Sequence, residues 1–234
     1  MGLKESGLRG SLRNVSVGID AIPDSVVLSP EDNNLDEFTG STANWSINSE
    51  DIIGPGDRVL RGVRGESEDP PNIYSTSGLE SYPSQGQRMS VLIEIESADS
   101  DPDAGVLFGV QSDVDNNYEI NLDPNADELS IKKDIEEGGF SDSTLATTNA
   151  SISYDEPYRI EWDWKTNDEI DVKLYDFVEP YDEPADESDE IASVSANDDS
   201  YSDGGVGFQV GARVPGDDDS PARFDEYWIR SQID

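Results

Sequence analysis

The sequence predicts an all-β fold, an antiparallel β-sandwich of the jelly-roll type with an extended N-terminal arm, and three observations predict it. From about residue 37 onward, short runs alternate apolar and polar residues with the two-residue period of a half-buried strand. Clusters of Gly, Asn, Asp and Pro separate those runs at hairpin spacing. No stretch sustains the 3.6-residue period of an amphipathic helix. A length of 234 residues suits a single all-β core.

In chain order, residues 1–19 (MGLKESGLRGSLRNVSVGI) set Lys4, Arg9 and Arg13 against Glu5 alone, a net basic arm on an acidic chain. Such an arm is either a loose terminus or a peg that docks on an acidic neighbour in an assembly. Residues 20–36, with two prolines and several turn formers, read as a linker, and residues 37–234 as the domain. NWSIN, RVLRGV and NIYSTS are its first strands. RMSVLIEIES puts Val91, Ile93 and Ile95 on one face against Leu92, Glu94 and Glu96; GVLFGVQS sets Val106, Phe108 and Val110 against Leu107, Gly109 and Gln111. NYEINL and ELSIKK flank DPNAD as a hairpin, and YRIEWDW and EIDVKLYDF flank KTND as another. EIASVSA, GVGFQVGAR and RFDEYWIRS close the domain.

Composition limits function. The 53 acidic and 15 basic residues give a formal charge of −38, a self-repulsion tolerable where the Debye length falls to about 3 Å in molar salt. Four Trp, nine Tyr and six Phe in strand-like patterns argue for a folded chain and against the disorder that such charge usually signals. That charge also repels phosphate, so nucleic acid is not an expected partner. Absent cysteine excludes disulfides and thiolate metal sites; absent histidine removes the commonest general base. No run of 18 apolar residues and no signal-peptide core is visible, so neither membrane insertion nor export by the general route is expected.

Several acidic constellations invite a chemical reading. Asp99, Asp101 and Asp103 alternate as in the first half of a calcium loop, so Ca²⁺ is the one cofactor the residues suggest. The sixth position is Ala104 and the twelfth Val110, which leaves a solvated loop as the competing account. Glu161 and Asp163 share a face with Arg159 and Lys165, the pattern of cross-strand ion pairs, while Trp162 and Trp164 point to the core with Ile160. The acidic run 179–190 reads as a hydrated loop.

The succession DAGVLFGVQSDVDNNYEINLD, ELSIKK, PYRIEWDWKTNDEIDVKLYD, GGVGFQVG and ARFDEYWI resembles the concanavalin A-like, laminin-G-like jelly-roll superfamily across residues 37–232. The resemblance implies a module that binds glycans or proteins, or in some branches hydrolyses glycans. It also implies a structural calcium held by Asp225 with Asp36 and Glu37. Glu169 and Asp171 imitate the start of the glucanase carboxylate motif, but Lys173 stands where the acid belongs, so an enzyme is not expected. For ligand binding, one concave sheet built from VLIEIES, GVLFGVQS and GVGFQVGAR would present Glu94, Glu96, Gln111, Gln209 and Arg213, with Gly109, Gly207 and Gly211 keeping it open. Tyr118, Phe140 and Trp228 are the candidate stacking aromatics, Tyr118 sharing a face with Ile120.

GLRGSLRNVSV, AIPDSV and the salt-adapted composition together look like structural proteins of viruses of halophilic archaea; cellular surface proteins of such archaea share these features. The expectation is a homo-oligomeric, extracellular virion-surface module in high salt. Its arm would contact other virion proteins and its domain host-surface glycans. A decoration protein without ligand and a glycan hydrolase are the rivals.

Overall fold

A computed structural model describes residues 25–28, 35, 38–49, 53–54, 58–64, 71–75, 83–98, 101–111, 116–135, 143–177, 187–212 and 220–231. Lys4, Arg9, Arg13, Asp36, Glu37, Asp99, Phe140 and Arg213 lie outside the described residues, as do residues 178–186 of the acidic run.

Two antiparallel sheets face each other. The first runs in the order β13 (Glu190–Asn197), β12 (Glu169–Asp176), β11 (Pro157–Trp164), β6 (Gln87–Ile95), β15 (Ser220–Ser231), β4 (Val59–Arg64) and β3 (Trp45–Asn48). β1 (Ser25–Leu28), inside the stretch expected as linker, pairs with β15. The second runs β10 (Ser143–Asn149), β9 (Glu128–Asp134), β8 (Asn117–Asp123), β7 (Pro102–Val110), β14 (Gly205–Ala212), β5 (Asn72–Ser75) and β2 (Thr39–Gly40). Two three-residue 3₁₀ turns are the only helical pieces among the described residues, and no helix there is long and apolar enough to cross a membrane.

The alternation read from sequence decides what each strand buries. Met89, Val91, Ile93 and Ile95 of β6 enter the core, as do Ile160, Trp162 and Trp164 of β11 and Ile170, Val172 and Leu174 of β12. Val106, Phe108, Ile120, Leu122, Phe208 and Val210 meet them from the second sheet. Phe108 packs edge-on to Trp164 at 5.3 Å, Trp162 to Tyr227 at 5.5 Å, and Phe208 leans on Phe224 at 4.8 Å. Each such pair adds about 0.5–1.5 kcal/mol beyond the area it buries. Trp162 and Trp164 are thus core residues, 1% and 0% exposed.

Both expected hairpins form, β8–β9 about residues 124–127 and β11–β12 about residues 165–168. Among the described residues, the four non-glycine residues with positive φ, Asp101, Asp127, Asp155 and Asp168, are all aspartates at strand entries. Aspartate tolerates the left-handed region because its short side chain bonds locally. A bulge in β15 between Asp225 and Trp228 shifts the parity of that strand, so Tyr227 and Ile229 face the core and Trp228 the outside.

Candidate functional site

The outward residues of the second sheet form ordered rows, because register aligns them across strands. Asn72 of β5 stands opposite Gln209 of β14, Gln209 opposite Gly105 of β7, Gly105 opposite Asn121 of β8, Asn121 opposite Ser130 of β9, and Ser130 opposite Thr147 of β10. This row crosses six strands, about 24 Å at about 4.8 Å per interstrand spacing. It contains amides, hydroxyls and one glycine and no charge, in a chain of which 29% is charged. A parallel row runs Tyr74, Gly207, Leu107, Glu119, Lys132, Thr144. On the other flank Gly211 lies beside Asp103, and Asp123 beside Glu128.

Glycines here make room for neighbouring side chains. A Cβ at Gly105 would run into the Glu119 carboxylate, one at Gly211 into the Asp103 carboxylate, and one at Gly207 into the backbone of Ile73 and the side chain of Tyr74. Gly109 has φ +62 and packs near Trp164 and Tyr118. So Gly207 and Gly211, expected to leave the face open, are overlain by Tyr74 and Asp103 instead. Asn121 donates through Nδ2 to Glu119 Oε1 at 3.1 Å, and Lys132 Nζ lies 4.0 Å from Glu119 Oε2. Burial pushes the Asp103 carboxyl up to about 6; the charges of Glu119 and Asp123 add to the rise, and Lys132 and Asn121 oppose it.

Several polar groups on or beside this face are uncommitted. The amides of Asn72 and Gln209, half-buried and opposite each other, make no side-chain hydrogen bond among the described residues. The Ser130 hydroxyl is buried without a partner. So is the Tyr154 hydroxyl, which burial and the charges of Asp101, Asp123 and Asp103 push up to about 12.

The residues expected to share one face are divided. β6, ending at Ile95, belongs to the first sheet, and β7, beginning at Pro102, and β14 to the second. Glu94 therefore pairs with Arg223 on the opposite side of the molecule, and Glu96 with Arg61 at 2.6 Å and Arg223 at 3.3 Å. Gln209 stands in the uncharged row. Gln111 donates Nε2 to the carbonyls of Gly109 and Asp203, both at 2.8 Å, which commits its donor to the turn. Tyr118 is 0% exposed, packed on Phe108, Trp164 and Tyr201, with its hydroxyl donating to Asp198 at 2.8 Å; no sugar can stack on it. Asp225 is 1% exposed on the first sheet, against Gly54 and Leu92. Among the described residues, no three acidic side chains are grouped so as to hold a metal ion.

The outer face of the first sheet is a lattice of ion pairs. Arg88 grips Asp163 at 2.7 Å through two bonds, Arg159 meets Glu161 at 2.6 Å, Lys173 meets Glu190 at 3.0 Å, and Lys165 bridges Asp171 and Glu169. With Arg61 and Arg223, at least six of the chain's 15 basic residues are paired here among the described residues. Glu169 and Asp171 are thus tied to Lys165 on a strand surface. Sequence reading missed Asn72, Glu119, Asn121, Ser130 and Thr147; the alternation Glu119, Asn121, Asp123 in NYEINLD was the available signal.

No protein-family model and no curated protein sequence matches the chain. Solved structures do. A carbohydrate-binding module, CBM66 from Bacillus subtilis, superposes with a TM-score of 0.58 at 18% identity over 83% of this chain and 96% of that one. A Bacillus subtilis protein of unknown function with a galectin-like fold gives 0.56 at 11% identity over 90% and 96%. A carbohydrate esterase from the Shiga toxin-encoding bacteriophage phi24B gives 0.52 at 11% identity over 92% and 100%. At these identities the likeness is one of fold alone, a jelly-roll β-sandwich.

Proposed function

We propose that the chain is a non-enzymatic carbohydrate-binding module whose site is the outer face of the second sheet. The observation that carries this reading is the pair of opposed, uncommitted amides, Asn72 and Gln209, beside the seated carboxylates Glu119 and Asp103. A sugar hydroxyl both donates and accepts, and amides and carboxylates together offer both functions. The likeness to a carbohydrate-binding module supports the same class. The setting we propose is the surface of a virus of halophilic archaea, supported by the −38 charge and the basic arm, with the chain homo-oligomeric and its target a host-surface glycan.

Glycan-array binding in molar salt tests the site. Asn72→Ala and Gln209→Ala should each weaken binding about fivefold or more, the scale of a lost hydrogen bond. Equal binding by both variants would move the site elsewhere, and no binding to any glycan would leave a decoration protein. Release of reducing ends, lost in Glu119→Gln, would instead make the chain a hydrolase. Deleting residues 1–19 should abolish incorporation into particles while leaving the domain folded; normal incorporation would remove the anchoring role of the arm.

A further inference from the structure

The two sides of the sandwich end differently. On one side the outermost strands are short, β3 of four residues and β2 of two, and short edges are one way a sheet avoids pairing with another chain. On the other side the outermost strands are β13, of eight residues, and β10, of seven, and they lie against each other. Neither carries a proline or a lysine. From Ile191 to Asn197 and from Ser143 to Asn149 they carry no charge at all, in a chain of which 29% is charged. We infer that on this side the chain meets a second copy of itself, β13 pairing antiparallel with β13 of the partner subunit about a two-fold axis at Val194. The pairing rests on the homo-oligomeric part of the proposed function and is independent of the ligand.

The strand is suited to it in backbone and side chains alike. β13 bonds to β12 in unbroken register from Glu169 opposite Asn197 to Leu174 opposite Ala192, and no strand bonds its other edge among the described residues. That edge therefore presents a regular series of N–H and C=O groups, the template on which another strand pairs. β10 is less regular, with a bulge between Thr144 and Ala146. Ala192, Val194 and Ala196 of β13 face the core, and Ser193, Ser195 and Asn197 are exposed on the outer face. Pairing about Val194 sets Val194 on its own copy, Ala192 on Ala196 and Ser193 on Ser195. Apolar side chains then meet inside and hydroxyls outside, as a two-fold interface requires of one surface. Val194 is half-buried in the single chain, so the pairing also extends the core across the seam.

Charge selects the partner. Two chains of −38 each approach at least cost where neither brings an unpaired carboxylate. The acids that bound β13 are already paired: Glu190 meets Lys173 at 3.0 Å and Asp198 meets Lys133 at 2.5 Å. Two of the chain's five lysines are thus spent at the two ends of this one strand. In the dimer Glu190 of one copy comes toward Asp198 of the other, and the lysines remove the repulsion that would open both ends of the seam. Asp189 and Asp199 lie one residue farther out, where molar salt screens them.

Sedimentation equilibrium of the full chain in molar KCl tests the interface. The parent should sediment at twice 25.6 kDa at about 0.1 mM. Ser193→Asp together with Ser195→Asp sets carboxylate against carboxylate twice across the axis and should weaken the dimer about tenfold or more. Ser193→Lys together with Ser195→Asp puts opposite charges at the same two positions and should restore the parent's dissociation constant to within about threefold. Both variants replace exposed side chains, and thermal unfolding checks that they fold as the parent does. Ser46→Asp, exposed on β3 at the far side of the sandwich, should leave the dimer unchanged. A doubly acidic variant that dimerises like the parent, or one that the mixed-charge variant does not rescue, would overturn the pairing through β13 and leave a homo-oligomer built elsewhere. A parent that stays monomeric at about 1 mM would overturn the homo-oligomeric reading as well, with glycan binding untouched.

Discussion

Asp103 lies folded over Gly211 with its carboxyl held up near 6 by burial and by the neighbouring Glu119 and Asp123. Its folded-state value exceeds the ordinary 3.8, so its contribution to stability is fully present below about pH 4 and is lost as pH rises through 6. Asp103→Asn should therefore match the parent at pH 4 and exceed it at pH 7.5, by on the order of 2 kcal/mol. Urea unfolding at the two pH values reads the difference; a variant less stable at pH 7.5 would mean that the charge is compensated. Gly105→Ala acts on the companion carboxylate. The new Cβ collides with the flexible end of Glu119, so the expected outcome is a stability change of about 1 kcal/mol with a clear loss of glycan binding. Intact binding would show that the seat of Glu119 is irrelevant to the site.

At the scale of elements, the strands differ in how clearly they were written. β12 was legible because its burial alternates with the two-residue period. β6, β7 and β11, buried largely on both faces, were legible because the face opposite the apolar core still carries mostly polar or small residues. β10 was not, since STLATTN is an edge strand whose exposed positions are all Ser, Thr or Asn and whose inner face is only half-buried. Nor could alternation reveal which sheet a strand joins. β6 and β7 follow one another with the same pattern and end in different sheets, and this is what separated Glu94 and Glu96 from Gln209. The uncharged row was invisible for the same reason, because it exists only through the registers of six strands. One turn shows how much a single backbone position carries. Gly204 enters β14 at φ +155, where a Cβ would strike the backbone of Gly109 and Val110. Neither neighbour can yield cheaply, so Gly204→Ala should lower stability by about 2 kcal/mol or more, measured by thermal unfolding. A fall of less than about 0.5 kcal/mol would mean that the strand entry is pliable.

For the whole molecule, the distribution of charge matters more than its total. At least six basic residues are paired with carboxylates on the outer face of the first sheet among the described residues, so that face carries little of the net charge of −38. Exposed pairs contribute about 0.2–1 kcal/mol each and less in molar salt, so Arg88→Ala should shift Tm little there. The parent, by contrast, should lose Tm steeply as KCl is diluted below about 0.1 M, where the Debye length grows to about 10 Å and the carboxylates begin to repel. A Tm independent of KCl would exclude salt adaptation. The six-strand row has a further consequence for the molecule as a whole. Its residues run from 72 to 209 along the chain, so no fragment carries the site, and a one-residue slip of any strand would replace its member with a core residue. A glycan held by Asn72 and Gln209 would fasten β5 to β14, and at a hundredfold excess over Kd it should stabilise the fold by about 2.7 kcal/mol. Recognition and architectural integrity would then be one property of the sheet, read together as a ligand-dependent rise in Tm.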